Sequence, residues 1–181
     1  MDEIDMTRRE GDKNVALVEL SSKRKQKYVV RTDLQPYQTD EFDGVTFVEH
    51  HFDYKPSLEE VKEFVKGVID KHTDEKIVSG FVWNPATGGD PIPVWLSTEN
   101  QFNFKSAYDL AVQKNGATLP VTFKMGEQSD GTPVYHTFET MDDADDFFVK
   151  AVAYINQTLA EGWIKKDNID WEPYEQALNA L

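Results

Sequence analysis

The chain has 181 residues, 39% apolar and 29% charged, with 33 acids against 19 Lys plus Arg and a net charge of −14. Eleven Phe, seven Tyr and four Trp supply a packed core and argue against wholesale disorder. The absence of cysteine excludes disulfide frameworks, thiolate metal sites and a cysteine nucleophile. No apolar run approaches the ~20 residues of a membrane span, so no membrane partner is expected. The acidic start, Met1-Asp-Glu-Ile-Asp5, is unlike a secretory signal. These features predict a soluble protein from a reducing compartment.

Charge is uneven along the chain. Residues 1–30 carry seven bases and six acids, and residues 31–181 carry twelve bases and twenty-seven acids. The basic cluster Lys23, Arg24, Lys25 and Lys27 lies between two apolar runs, where a solvated hairpin turn is expected. A strongly acidic body repels phosphates, so no nucleic-acid partner is expected.

In chain order, residues 1–13 form a polar segment with only Ile4 and Met6 as apolar residues, and composition predicts a mobile arm. On that reading Ile4 and Met6 anchor the arm on a neighbouring molecule, with Arg8 and Arg9 meeting its acidic surface by the strand-addition mode. Val15–Leu20, Lys27–Arg31 and Val45–Tyr54 read as strands, with a loop over Thr32–Asp43 that contains Pro36. Ser57 with Glu60 three residues on is a capping-box pattern. Leu58, Val61, Phe64, Val65, Val68 and Ile69 then follow a 3.6-residue stripe, predicting a helix that ends before Ile77.

Beyond Ile77 one pattern runs twice. Ile77–Trp83, a loop with Gly88-Gly-Asp-Pro91 and Ile92–Leu96 precede a helix capped by Thr98. Leu119–Met125, a loop with Asp130-Gly-Thr-Pro133 and Val134–Phe138 precede a helix capped by Thr140. The offset is forty-two residues, which fits either a duplicated ββα unit or two copies of a common one. The two helices are expected to stop near Gly116 and at Gly162, and the tail from Trp171 to add a helical turn or two. The predicted class is α+β, antiparallel hairpins with three main helices. The predicted organisation is an arm over 1–13, a β-β-β-α region over 14–76 and a second domain over 77–181.

Candidate chemistry is sparse. His50 and His51 adjoin Glu49 and Asp53, but neighbouring strand residues face opposite ways, so a shared metal is not expected. Asp142, Asp143, Asp145 and Asp146 lack the glycine of a calcium loop and suit the first turns of a helix. Gly88-Gly89 lacks a phosphate-loop ending, and neither a Gly-x-Ser-x-Gly elbow nor a His-Glu-x-x-His motif occurs. Asn156-Gln-Thr158 matches a glycosylation sequon inside a predicted helix. No catalytic residue, metal or cofactor is assigned. Trp83 and Trp95, on the two strands of one hairpin, read either as a stacking platform for a sugar or peptide partner or as core.

One ordered series of motifs extends this reading. It comprises Gly80-Phe81 with Trp83, Val94-Trp95-Leu96-Ser97, and Glu99-Asn100-Gln101-Phe102-Asn103. It continues with Leu119-Pro-Val-Thr-Phe123, Phe138-Glu-Thr140, Phe147-Phe148, Leu159-x-x-Gly162-Trp163 and Lys166-Asp167. In these residues the stretch from about Ile77 to Tyr174 resembles a family of uncharacterised domains of bacteriophage and prophage proteins. Many of these occur in or beside tail fibres and other virion parts, notably in phages of gut Bacteroidetes. The resemblance implies a non-enzymatic structural protein of the virion, or of the host cytoplasm during assembly. Its expected partners are other phage structural proteins or further copies of itself as a homo-oligomer. A fibre-assembly chaperone or adaptor, and an acidic DNA mimic, are the alternatives.

Overall fold

The computed structural model describes residues 4–181. The first three residues of the expected arm lie outside the described residues. The fold is α+β with antiparallel strands throughout. Four strands, β1 (Arg8–Gly11), β2 (Val18–Ser22), β3 (Lys27–Gln38) and β4 (Asp43–Phe52), are followed by helix α1 (Leu58–Ser79). Hairpin β5 (Phe81–Trp83) and β6 (Ile92–Val94) leads to α2 (Thr98–Gln113). Hairpin β7 (Val121–Glu127) and β8 (Pro133–Phe138) leads to α3 (Met141–Asp167), and α4 (Glu172–Asn179) closes the chain. Two units result, Met1–His72 with Ile164–Leu181, and Thr73–Trp163. Residues 73–76, read from sequence with the first region, fall in the second of these units. The tail from Ile164, however, belongs with the first unit instead of completing the second.

The first unit is a four-stranded sheet in the order β1-β4-β3-β2. Val30, Val48 and Phe52 meet Val61, Phe64, Val65 and Val68 in one core, as the helical stripe predicts. The capping box forms: Glu60 Oε2 accepts the Ser57 N–H at 2.8 Å, and Ser57 Oγ accepts the Glu60 N–H. The tail joins because α4 buries Tyr174 and Leu178 in this core, and the Tyr174 hydroxyl donates to the Arg31 carbonyl. On another side of the sheet, charges alternate strand by strand. Arg31 donates to Glu49 at 3.2 Å, to Glu19 at 2.7 Å and to the Ala16 carbonyl at 2.9 Å, with its guanidinium over the Phe47 ring. Arg9 extends the row from β1, 3.9 Å from Glu49.

Two expectations are corrected in this unit. The segment read as a loop after Arg31 continues as β3 through Pro36 to Gln38. Since β2 pairs only with residues 27–30 of β3, the far half of β3 has a free edge, where proline is tolerated. The segment read as a mobile arm supplies β1, paired with β4 from Arg8↔Val48 to Gly11↔Val45. Ile4 and Met6 pack on their own core. Arg8 donates to the Asp33 carbonyl at 2.7 Å and to the Asp33 carboxylate. Backbone pairing and an internal ion pair thus order a segment with almost no apolar content.

In the second unit both hairpins are followed by helices, matching the twofold ββα pattern. The two pair in the same register at the offset of forty-two: Phe81↔Val94 and Val82↔Pro93 correspond to Phe123↔His136 and Lys124↔Tyr135. The first hairpin is shorter than expected because Ile77 and Val78 remain in α1. Ser97, not Thr98, caps α2 by accepting the Asn100 N–H, whereas Thr140 caps α3 through Asp143 as expected. Helix α3 does not stop at Gly162. A β-carbon there would lie 2.5 Å from Thr73 Oγ1, so this glycine permits close packing inside a helix that runs to Asp167.

Burial works against the Asp33 carboxylate. Hydrogen bonds from Arg8 and Gln35, with the charges of Arg8 and His72, outweigh it and hold the carboxyl below its ordinary value of 3.8. A depressed folded-state value gives stability that is present above the unfolded value and lost as pH falls through the folded one. Asp33→Asn should therefore cost about 1–2 kcal/mol at neutral pH. That difference should shrink as the pH drops below about 4. Urea unfolding of both proteins across that range measures it, and a difference independent of pH would contradict the assignment.

Candidate functional site

The second unit contains the surface of greatest interest, and strand alternation builds it. Trp83, Val94, Met125 and Phe138 face inward and are buried with Phe104 and Phe147 of the helices. The Trp83 ring meets Phe147 at 5.1 Å and His136 at 4.8 Å, and its Nε1 donates to Asp146 at 3.0 Å. Successive strand residues point oppositely, so the neighbours of these inward residues are turned out. Val82 (58% exposed), Trp95 (39%) and Tyr135 (63%) stand on the outside, with Pro93 opposite Val82 and Lys124 opposite Tyr135. The Trp95 N–H donates to the Met125 carbonyl at 2.8 Å, setting the hairpins side by side. A β-carbon on Gly126 would come within 2.6 Å of the Pro93 carbonyl, so this approach needs glycine. Lys124 then lies over the Trp95 ring, 5.3 Å from its centre. The result is an exposed apolar and aromatic face with one cation, in a unit otherwise rich in acid.

The polar cluster nearest to catalytic chemistry lies on the inner side. His136 Nε2 and Asp143 Oδ2 are 2.7 Å apart, both largely buried. Asp143 Oδ1 has no hydrogen-bond partner among the described residues. Trp83 and Phe138 enclose the imidazole edge-on, so the pair fastens β8 to the start of α3 within the core. Nearby, Lys150 hydrogen-bonds Asp146 and, with Trp83 and the Ala86 N–H, holds its carboxyl below the ordinary value against the effect of burial. The apolar crevice bounded by Phe104, Tyr108, Phe123 and Phe147 has about 20 Å³ of free space, room for one water and not for an organic ligand. Among the described residues no group of three or more His, Asp or Glu is placed to hold a metal ion. No described helix is long and apolar enough to cross a membrane.

The residues singled out from sequence separate accordingly. Ile4, Met6, Arg8 and Arg9 are engaged within the first unit. Trp83 is core, which removes it from any platform, while Trp95 remains at the surface. His50 packs on Phe52 and Phe64, and His51 points the other way to Glu49, as alternation requires. Val82 and Tyr135 were not identifiable as a pair until the register of both hairpins was known. Their signal is the alternation Val82-Trp83 and Tyr135-His136.

The chain matches no protein-family model, no curated protein and no solved structure.

The two tryptophans make opposite predictions. Trp83→Ala removes a fully buried ring and the hydrogen bond to Asp146, and should destabilise the second unit by about 3–5 kcal/mol. Trp95→Ala should cost less than about 1 kcal/mol, because it vacates surface. Chemical denaturation followed by tryptophan fluorescence compares them, and equal losses would contradict the inward and outward assignment.

Proposed function

We propose that the protein is a non-enzymatic bacteriophage structural protein, built into or docked on the virion by protein–protein contacts. One observation supports the contact role above the others. Ten of the thirteen exposed large apolar side chains on the described surface lie between Val78 and Trp163, in the second unit. Scattered apolar side chains need no explanation, but a unit that gathers them while carrying thirteen acids against five bases is suited to burial against a partner. The sheet face of Val82, Trp95 and Tyr135 has the composition of an interface centre, aromatic with one cation stacked on a ring.

The phage assignment rests on the resemblance carried by the residues from Gly80 to Asp167, which fall mainly in this unit. An aromatic sheet face suits a component that joins neighbours in a particle. The partners on this reading are other phage structural proteins.

Quantitative proteomics of purified virions and of infected-cell lysate tests the proposal. The expected result is the protein in clean particles at fixed stoichiometry. Its presence in lysate bound to fibre protein, with none in particles, would make it an assembly factor instead. Its absence from both would contradict the phage role.

A further inference from the structure

The open edge of β5 borders a groove that the fold leaves unfilled. The groove holds about 300 Å³, and its walls come from β5 and α3, with Lys150, Ala153, Tyr154 and Gln157 on the helix side. It therefore lies on the side of β5 away from β6. Three contacts fix which backbone groups of β5 face it. The Trp95 N–H donates to the Met125 carbonyl and the Pro93 carbonyl lies against Gly126, so both of these residues turn toward β7. Leu96 turns the other way, its N–H donating at 3.2 Å to the Val78 carbonyl just before β5. Alternation then makes Phe81↔Val94 and Trp83↔Ile92 the hydrogen-bonded pairs and Val82↔Pro93 the unbonded one. The N–H and C=O of Val82 thus point into the groove, and among the described residues nothing bonds to either. The next carbonyl of the same parity, at Asn84, is already taken by Lys150 Nζ at 2.8 Å.

We infer that this groove takes an extended peptide segment of another protein, which adds to β5 as a further strand. What fills it is set by Val82, because a main-chain donor and acceptor side by side are matched by another main chain. Edges that stay single are guarded by charge, proline or a bulge, and β5, with the sequence Phe-Val-Trp, carries no such guard. The helix side of the groove selects the side chains. On an added strand the residue opposite Val82 faces outward, so the residues flanking it turn toward α3. There they meet Ala153, which leaves room, and Tyr154, whose ring is stacked on Phe81. Lys150 in the lining is already neutralised by Asp146, so the two inward residues are uncharged. Beyond the groove the unit carries thirteen acids against five bases, which favours Lys or Arg at the ends of the segment. The inference stands apart from the virion reading, because it concerns the edge of β5 and not the outer sheet face.

Peptides selected on the purified full chain from a displayed library, random in the middle and flanked by lysines, serve as the probes. Amide hydrogen exchange followed by NMR should find Val82 fast and Trp83 slow in the free chain, and Val82 slowed about tenfold or more by a bound peptide. N-methylation scanned along each peptide should weaken binding about tenfold at the position that donates to Val82 and little at its neighbours. Val82→Pro removes an N–H that no internal bond uses, so it should stay folded by circular dichroism and lose the peptide. Ala153→Arg fills the groove from the helix side and should lose it too, whereas Ser106→Arg, at an exposed position of α2, should not. A library that yields no binder, a Val82 amide already slow in the free chain, or binders indifferent to N-methylation or to Ala153→Arg overturn the inference. Equal binding with Glu in place of the flanking lysines overturns the charge assignment.

Discussion

The burial of one indole organises the second unit and decides what its surface offers. Trp83 is a large side chain with a polar edge, so it is stable inside only where its N–H finds an acceptor, and Asp146 supplies one. With Trp83 seated against His136, Phe138 and Phe147, the pleat leaves no choice for the residues beside it. Val82 must face outward, and pairing carries the same parity to Pro93 and on to Trp95. The second hairpin repeats this with Met125 inside and Lys124 and Tyr135 outside. Which residues stand on the outer face is therefore a consequence of how the core is filled.

The first unit solves a different problem, that of ordering polar sequence. Its β1 strand is Arg-Arg-Glu-Gly, which buries little. The costs of ordering it are met by backbone pairing with β4 and by Arg8 on Asp33. Arg31 performs a similar service for β2, β3 and β4, since its fork reaches acids on both flanking strands and its plane covers Phe47. Charge on this sheet is structural, and those arginines are spent inside the unit. The second unit differs in exposing most of the large apolar side chains of the described surface.

Much of this architecture was legible in the residues. The Ser57–Glu60 cap, the stripe of α1, the Thr140 cap and both hairpins follow from local chemistry that does not depend on distant partners. What was not legible depended on those partners. Gly162 looks like a helix stop until Thr73 is placed against it. Pro36 looks like a loop until β2 is seen to end short of it. The tail beyond Ile164 looks like part of the second domain until Tyr174 enters the first core. Trp83 and Trp95 are alike in composition and lie on the same hairpin. Only the pairing Trp83↔Ile92 shows that Trp95, three residues beyond Ile92, has the opposite parity.

The central claim is that the outward sheet face of the second unit is where a partner binds. Site-specific photo-cross-linking in the native host tests it most directly, with the photoreactive residue placed in turn at Val82, Tyr135 and, as a control on the first unit, the exposed Tyr54. The account predicts a discrete cross-linked species of the same partner from positions 82 and 135 and none from position 54. Cross-linking from 82 and 135 no stronger than from 54 would contradict it.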